Sequence, residues 1–206
     1  LSPATEKLDK QASGAITRAA NSSNFKGKFG EMVEILAPSG IKASRILLVG
    51  LGDQEKFDEQ QAEKIGGKII VKLMYSGEKT LTVLAKTNAA SGAFGAILRA
   101  YKFDKYYTTE KNIKKPSLEQ VTLVTDGAAN AKKEFKTLEK IADGVIFARN
   151  LVTEPGNVIY PESYAEQIKD LTKLGVDVKV LDEKAMDALG MEALLGVGQG
   201  SASQSL

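Results

Sequence analysis

Histidine and cysteine are both missing from these 206 residues, and their absence removes whole classes of chemistry. Without them no Ser-His or Cys-His nucleophile pair can be assembled within the chain. Zinc sites built on imidazole or thiolate go as well, which leaves oxygen ligands or a lysine amine as metal donors. Hydrolytic chemistry here would have to rest on Asp, Glu, Lys, Tyr or Ser. No disulfide framework can form, which suits a cytoplasmic protein. Long apolar runs are lacking too: none approaches the roughly 20 residues of a bilayer span, so no membrane partner is expected. The opening Leu1–Lys7 has neither the basic end nor the apolar stretch of a secretory signal. A net charge of +2 is too small by itself to imply a nucleic-acid or membrane partner.

What is present is ordinary for a globular chain. Hydrophobic residues make up 43% and charged residues 26%, which permits a sizeable core. The length allows one large domain, or one domain and part of another. Residues 1–30, rich in Ser, Ala, Asn and Gly, read as loops with one short helix. Strand-like runs follow at Glu31–Leu36 and Arg45–Gly50, the second apolar enough to be buried on both faces. Ala62, Ile65, Ile69 and Leu73 recur at helical spacing and predict a helix over Asp58–Tyr75, ended by Gly77. Strands are expected at Thr80–Ala85 and Gln120–Val124, with a helix over Ala89–Tyr101 between them.

The longest helix is predicted over Ala131–Val152, with Phe135, Leu138, Ala142, Val145, Arg149 and Val152 along one stripe. It stops before Glu154-Pro155-Gly156, since proline disfavours helix at the residue before it. Pro161 then starts a helix to about Leu174, with Gly175 as terminator. The alternation in Val176–Leu181 predicts a strand, and Asp182 caps a helix through Leu189. Leu194–Ser201 reads as the approach to a further strand. Strands alternating with helices indicate an α/β fold with a largely parallel sheet.

Several motifs could carry chemistry, and each has a plainer reading. Gly50-Leu51-Gly52 follows a strand as a dinucleotide fingerprint would, but the third glycine position holds Glu55, which would repel a pyrophosphate. A tight turn is the expectation. Gly66-Gly67-Lys68 lacks the other residues of a phosphate loop, having Ala62 and Ile69 in their places, and is expected to be a close helix-packing spot. The pairs Asp58-Glu59 and Asp182-Glu183 stand at predicted helix starts, where the dipole favours negative charge without a metal. The glycines of Gly196–Gly200 suit a strand entry better than a ligand loop. Arg99, Lys102, Lys105, Lys111, Lys114 and Lys115 alternate with Tyr101, Phe103, Tyr106 and Tyr107. Such a run can stack bases and hold phosphates, although a solvated loop whose aromatics pack on their own sheet is favoured.

Phe147–Asn157 carries an Ala-Arg-Asn-Leu-Val segment ending in Glu-Pro-Gly-Asn, followed by Pro161-Glu162. It resembles the leucyl aminopeptidase (cytosol aminopeptidase) family. Gly175–Val178, Leu181–Lys184, Leu189–Met191 and Gly196–Ser201 agree in order and spacing, as do Leu47–Gly52 and Tyr101–Tyr106 upstream. The resemblance implies a macro-domain-like α/β domain over residues 1–130, a linking helix over 131–153, and the start of a peptidase domain over 154–206. It implies a cytoplasmic, hexameric enzyme that removes N-terminal residues from peptides. Two divalent ions, manganese or zinc, would activate the attacking water. The family's ligand-bearing motifs, including an Asn-Thr-Asp-Ala-Glu-Gly-Arg run, have no counterpart in residues 1–206. No catalytic or metal-binding residue is therefore assigned here, and the chain alone is expected to be inactive and to serve assembly or regulation. A DNA-binding accessory module, acting through residues 99–115, is the alternative that the resemblance leaves open.

Overall fold

Two short helices open the chain where its composition suggested loops and one helix. In the computed structural model, which describes residues 2–109 and 115–200, they are α1 (Pro3–Gln11) and α2 (Ala15–Ser22). Capping accounts for them. The Ser2 hydroxyl accepts the Thr5 N–H at 3.2 Å, and Pro3 occupies the start of α1. The buried Asp9 carboxylate then reaches over the corner. One oxygen accepts the Ile16 and Thr17 N–H groups at 2.8 and 3.3 Å, and the other accepts the Thr17 hydroxyl at 2.5 Å. These bonds satisfy first-turn donors of α2 that its Gly14 N-cap cannot reach. The Thr17 hydroxyl is the largest influence on the Asp9 pKa. With the two backbone donors and Arg18 it outweighs burial and holds the carboxyl below its usual value.

Strands β1 (Met32–Leu36) and β2 (Arg45–Val49) pair antiparallel, with Val33 opposite Leu48 and Ile35 opposite Ile46. Residues 37–44 between them are too few for the parallel crossover of about a dozen residues that the α/β expectation would need. Helix α3 (Glu59–Leu73) follows, begun by the Asp58 carboxylate on the Gln61 N–H at 2.8 Å. Gly77, at φ +92°, turns the chain beyond it into β3 (Thr80–Leu84). Strand β4 (Gln120–Val124) pairs parallel to β3, Leu81 opposite Val121 and Val83 opposite Leu123. The stripe Ile65, Ile69 and Leu73 of α3 covers both pairs, touching Met32, Leu47 and Val49 on one and Leu81 and Val83 on the other. Helix α4 (Ala89–Ala100) packs on α3. The chain is thus a mixed α/β fold whose described strands form one antiparallel and one parallel pair.

Helix α5 (Ala128–Thr153) contains the division between two compact units, Leu1–Ile146 and Phe147–Leu206. Its expected stripe holds from Phe135 to Arg149, all half-buried or buried. Val152 breaks it, at 86% exposure, and Leu151 is half-buried instead.

The second unit holds α6 (Pro161–Lys169), a 3-10 turn over Asp170–Leu174, α7 (Glu183–Ala188) and α8 (Glu192–Gly198). Gly175 terminates the turn at φ +84°, as its position indicated. Two expectations fail here. Val176–Leu181 alternates like a strand but has no ladder partner among the described residues, and alternation alone cannot make a strand without a neighbour. Leu194–Gly198 belongs to a helix, because Glu192, Ala193, Leu194 and Leu195 are strong helix formers and outweigh Gly196 and Gly198. Met186, 4% exposed, is the one buried residue among those described in this unit.

Candidate functional site

The glycines that could have cradled a phosphate are occupied by backbone. A Cβ on Gly50 would meet the Lys28 carbonyl oxygen at 2.2 Å, and the Gly52 N–H donates to the Gly27 carbonyl at 2.9 Å. The exit of β2 is therefore filled by Gly27–Glu31, and the tight-turn reading stands. A Cβ on Gly66 would meet the Gly92 carbonyl oxygen at 2.0 Å, which makes Gly66-Gly67 the close helix crossing expected from its sequence. Gly196 and Gly198 lie within α8, and Ser201 is outside the described residues.

The acidic pairs cap helices. Asp58 holds the start of α3, and the Asp182 carboxylate accepts the Ala185 N–H at 2.8 Å at the start of α7. Glu59 and Glu183 stand in the first turns of the same helices. Among the described residues no group of three or more acidic side chains is gathered to hold a metal ion.

In the basic aromatic run, Glu110 and Lys111–Lys114 fall outside the described residues. Among the described residues of the run, Phe103, Tyr106, Lys102 and Lys105 contact the chain's own rings. The Phe103 and Tyr106 rings lie 5.9 Å apart and tilted by 57°, and Lys105 Nζ sits 5.4 Å from the Tyr106 centroid. Lys102 Nζ is 5.6 Å from the Tyr75 centroid and 3.7 Å from the Asp104 carboxylate. Tyr106 and Tyr107 are both exposed, at 46% and 63%. A row of free aromatic platforms for bases is not formed by these residues.

The end of α5 is closed within its own last turn. The Thr153 hydroxyl donates to the Arg149 carbonyl at 2.6 Å, and the Glu154 N–H to that of Asn150 at 3.0 Å. The Pro155 carbonyl accepts the Val158 and Ile159 N–H groups at 2.8 and 3.0 Å. Ser163 Oγ accepts the Tyr160 N–H at 2.9 Å and donates to the Val158 carbonyl at 2.8 Å, which sets the start of α6. The glutamate-proline-glycine segment is thus an ordered turn.

Sequence reasoning missed a polar cluster that joins four parts of the fold. Arg45 pairs with Glu34, lies 3.4 Å from Glu78 and donates to the Ser76 carbonyl at 3.3 Å, while Lys72 lies 3.2 Å from Glu34. Burial works against the Glu34 charge, but hydrogen bonds from Lys72 and Arg45 outweigh it and hold the carboxyl below its usual value. Its members come from β1, β2, α3 and the turn before β3, so no short motif could announce it.

Comparison with known proteins places these features. Residues 1–110 match the family model described as cytosol aminopeptidase family, N-terminal domain, and residues 146–206 match that family's catalytic domain. A probable cytosol aminopeptidase of Caulobacter vibrioides is 39% identical over 208 residues, covering 100% of this chain and 42% of the relative. One from Rhodopseudomonas palustris is 44% identical over 208 residues, covering 97% and 42%. Among solved structures, a mutant tomato leucine aminopeptidase superposes with a TM-score of 0.81 at 25% identity, over 98% of this chain and 42% of that one. The bottromycin maturation enzyme BotP in complex with Mn gives 0.72 at 22% identity, over 90% and 40%, which speaks for the fold. The chain spans 42% of the length of the two bacterial relatives.

Proposed function

The chain belongs to the cytosol aminopeptidase family, and we propose that it supplies the N-terminal domain and first part of the catalytic domain of an aminopeptidase. The whole enzyme would release N-terminal residues from peptides, with two divalent ions, manganese or zinc, supplying an activated water when bound. The carrying observation is the order of the two family matches, with the catalytic one beginning at residue 146, one residue before the second compact unit begins at Phe147. The fold neighbour BotP is in complex with Mn, which supports a divalent metal. Residues outside these 206 would provide the metal ligands and the chemistry. These 206 would provide assembly surfaces and the seat on which the peptidase domain is built, divided as a macro-like domain over 1–130, a linking helix over 131–153 and a peptidase portion over 154–206. A hexameric, cytoplasmic enzyme completes the proposal, and the naming of the relatives as cytosol aminopeptidases supports the compartment. No observation favours the DNA-binding alternative through residues 99–115.

Hydrolysis of a leucine amide, assayed with Mn²⁺ and with Zn²⁺, tests the reading. The 206-residue chain should be inactive and the full polypeptide encoded by the gene active. A full polypeptide without aminopeptidase activity would sink the assignment; activity in the pure 206-residue chain would relocate the chemistry.

A further inference from the structure

The dipeptide Asp-Gly occurs twice in the chain, at Asp126-Gly127 and Asp143-Gly144, and the fold treats the two oppositely. Asp126 and Gly127 form an exposed turn between β4 and α5. Strand β4 is held as far as Val124, whose carbonyl accepts the Ala85 N–H at 2.9 Å. Helix α5 begins where the Gly127 carbonyl accepts the Ala131 N–H at 3.0 Å. Between those bonds, the main-chain groups of Asp126 and the Gly127 N–H have no partner among the described residues. Asp143 and Gly144 are exposed too, but they lie inside α5, where each N–H is committed to the carbonyl four residues back. Asp143 also pairs with Lys140 at 2.9 Å.

An aspartate followed by glycine carries its own nucleophile, because the next main-chain nitrogen can close a five-membered ring on the side-chain Cγ. Glycine has no side chain to crowd that approach, and around Gly127 the space where a Cβ would stand is open to 4 Å. The attacking nitrogen must shed its proton, and the N-terminal end of α5 favours negative charge at that place. The nitrogen must also be free of a carbonyl partner, and the main chain must rotate to bring it onto Cγ. The turn at Asp126 allows both, and the helical ladder around Asp143 forbids both unless α5 opens.

We propose that Asp126-Gly127 is a site of spontaneous self-modification, at which Asp126 becomes an isoaspartyl residue through a succinimide while Asp143 is spared. The Gly127 nitrogen bonds the Asp126 Cγ, and its proton leaves with the carboxyl hydroxyl as water. A water molecule then opens the ring at one of its two carbonyls. Addition at Cγ restores Asp126. Addition at the former main-chain carbonyl breaks its bond to the Gly127 nitrogen and routes the chain through Cβ. The atoms lost in the first step return in the second, and nothing is oxidised or reduced. The product lengthens the main chain by one methylene between β4 and α5. It leaves the α-carboxylate as the new side group, the group that an isoaspartyl-specific methyltransferase esterifies. The proposal does not depend on the peptidase reading.

Ageing the full polypeptide encoded by the gene for several weeks at neutral pH tests it. Peptide mapping by mass spectrometry scores each site, since an isoaspartyl peptide elutes apart from its parent at unchanged mass. The same peptide takes a methyl group from S-adenosylmethionine when the isoaspartyl methyltransferase is added. Isoaspartate at residue 126 should exceed that at residue 143 by about tenfold or more, because α5 opens only rarely. In concentrated urea, where the helix is gone, the two sites should react at similar rates. Gly127→Ala keeps the carboxyl but crowds the nitrogen, and should slow the reaction at residue 126 by about tenfold or more. Four results overturn the proposal. They are no isoaspartate at residue 126 of the folded polypeptide, equal rates at the two sites before unfolding, a difference that survives in urea, or no effect of Gly127→Ala.

Discussion

Gly66 of α3 stands so near the backbone of Gly92 in α4 that a Cβ at residue 66 would lie 2.0 Å from the Gly92 carbonyl oxygen. Gly95 repeats the approach from the other helix, its Cβ position being 2.0 Å from the Glu63 carbonyl oxygen. Backbone cannot give way as a flexible side chain can, so the crossing distance of α3 and α4 is set by these two glycines. Gly92 itself has room, its nearest neighbour being the Ala62 carbonyl oxygen at 3.8 Å.

Gly66→Ala and Gly95→Ala should therefore each destabilise the first unit by about 1–3 kcal/mol through overpacking. Gly92→Ala, in the first turn of α4, should be neutral or stabilising by up to about 1 kcal/mol from helix propensity. Urea melts of the three variants check this, and equal losses at all three positions would mean that the close approach is not what matters.

Asp9 makes the α1–α2 corner sensitive to acid. Its carboxyl pKa lies below the ordinary 3.8 in the folded chain, so its contribution is present above the unfolded value and lost as pH falls through the folded one. Asp9→Asn mimics the protonated form. Melting temperatures of the parent and the variant should differ at pH 6 and draw together as pH falls through the folded value. A gap that persists at the acid end would show that shape, not charge, is the contribution.

The Glu34 cluster is tested by Glu34→Gln, which leaves Arg45 and Lys72 without their shared carboxylate. With the Glu34 side chain 23% exposed, solvent screens part of the loss, and about 1–2 kcal/mol is expected. The Glu34 pKa is held below its usual 4.5, so the difference from the parent should shrink as pH falls through the folded value. Chemical denaturation at pH 7 and pH 3 measures both.

The second unit should be the weaker part of the 206-residue chain. Leu174, Leu189 and Val197 are exposed at 79%, 65% and 81%, and Met186 is its one buried residue among those described. So little buried apolar surface does not offset ordering entropy. Limited proteolysis should cut near Glu154–Tyr160 and then degrade residues 161–206, leaving the chain up to about Val152. Equal amide protection on both sides of Pro155 would contradict this.

Local codes were legible in the sequence wherever the signal and its target are close in the chain. Asp58 and Asp182 cap helices, Gly175 ends one, and the stripe Ile65, Ile69, Leu73 faces the core, all as their spacing indicated. Helix α3, by contrast, ends at Leu73, and the left-handed Gly77 follows four residues later. The two opening helices escaped because their stability comes from Asp9 bonding seven and eight residues away, not from a long apolar period. Val176–Leu181 and the last helix were misread because strand and helix patterns compete over short runs, and only a paired neighbour decides for a strand. Gly66 was readable as a packing glycine, yet its partner Gly92 was not, since the pairing depends on how two helices cross. The Glu34–Arg45–Lys72–Glu78 cluster lay wholly beyond the sequence. It is made of groups from separate elements, and only tertiary folding, which brings distant segments within hydrogen-bonding reach, gives them a relation to one another.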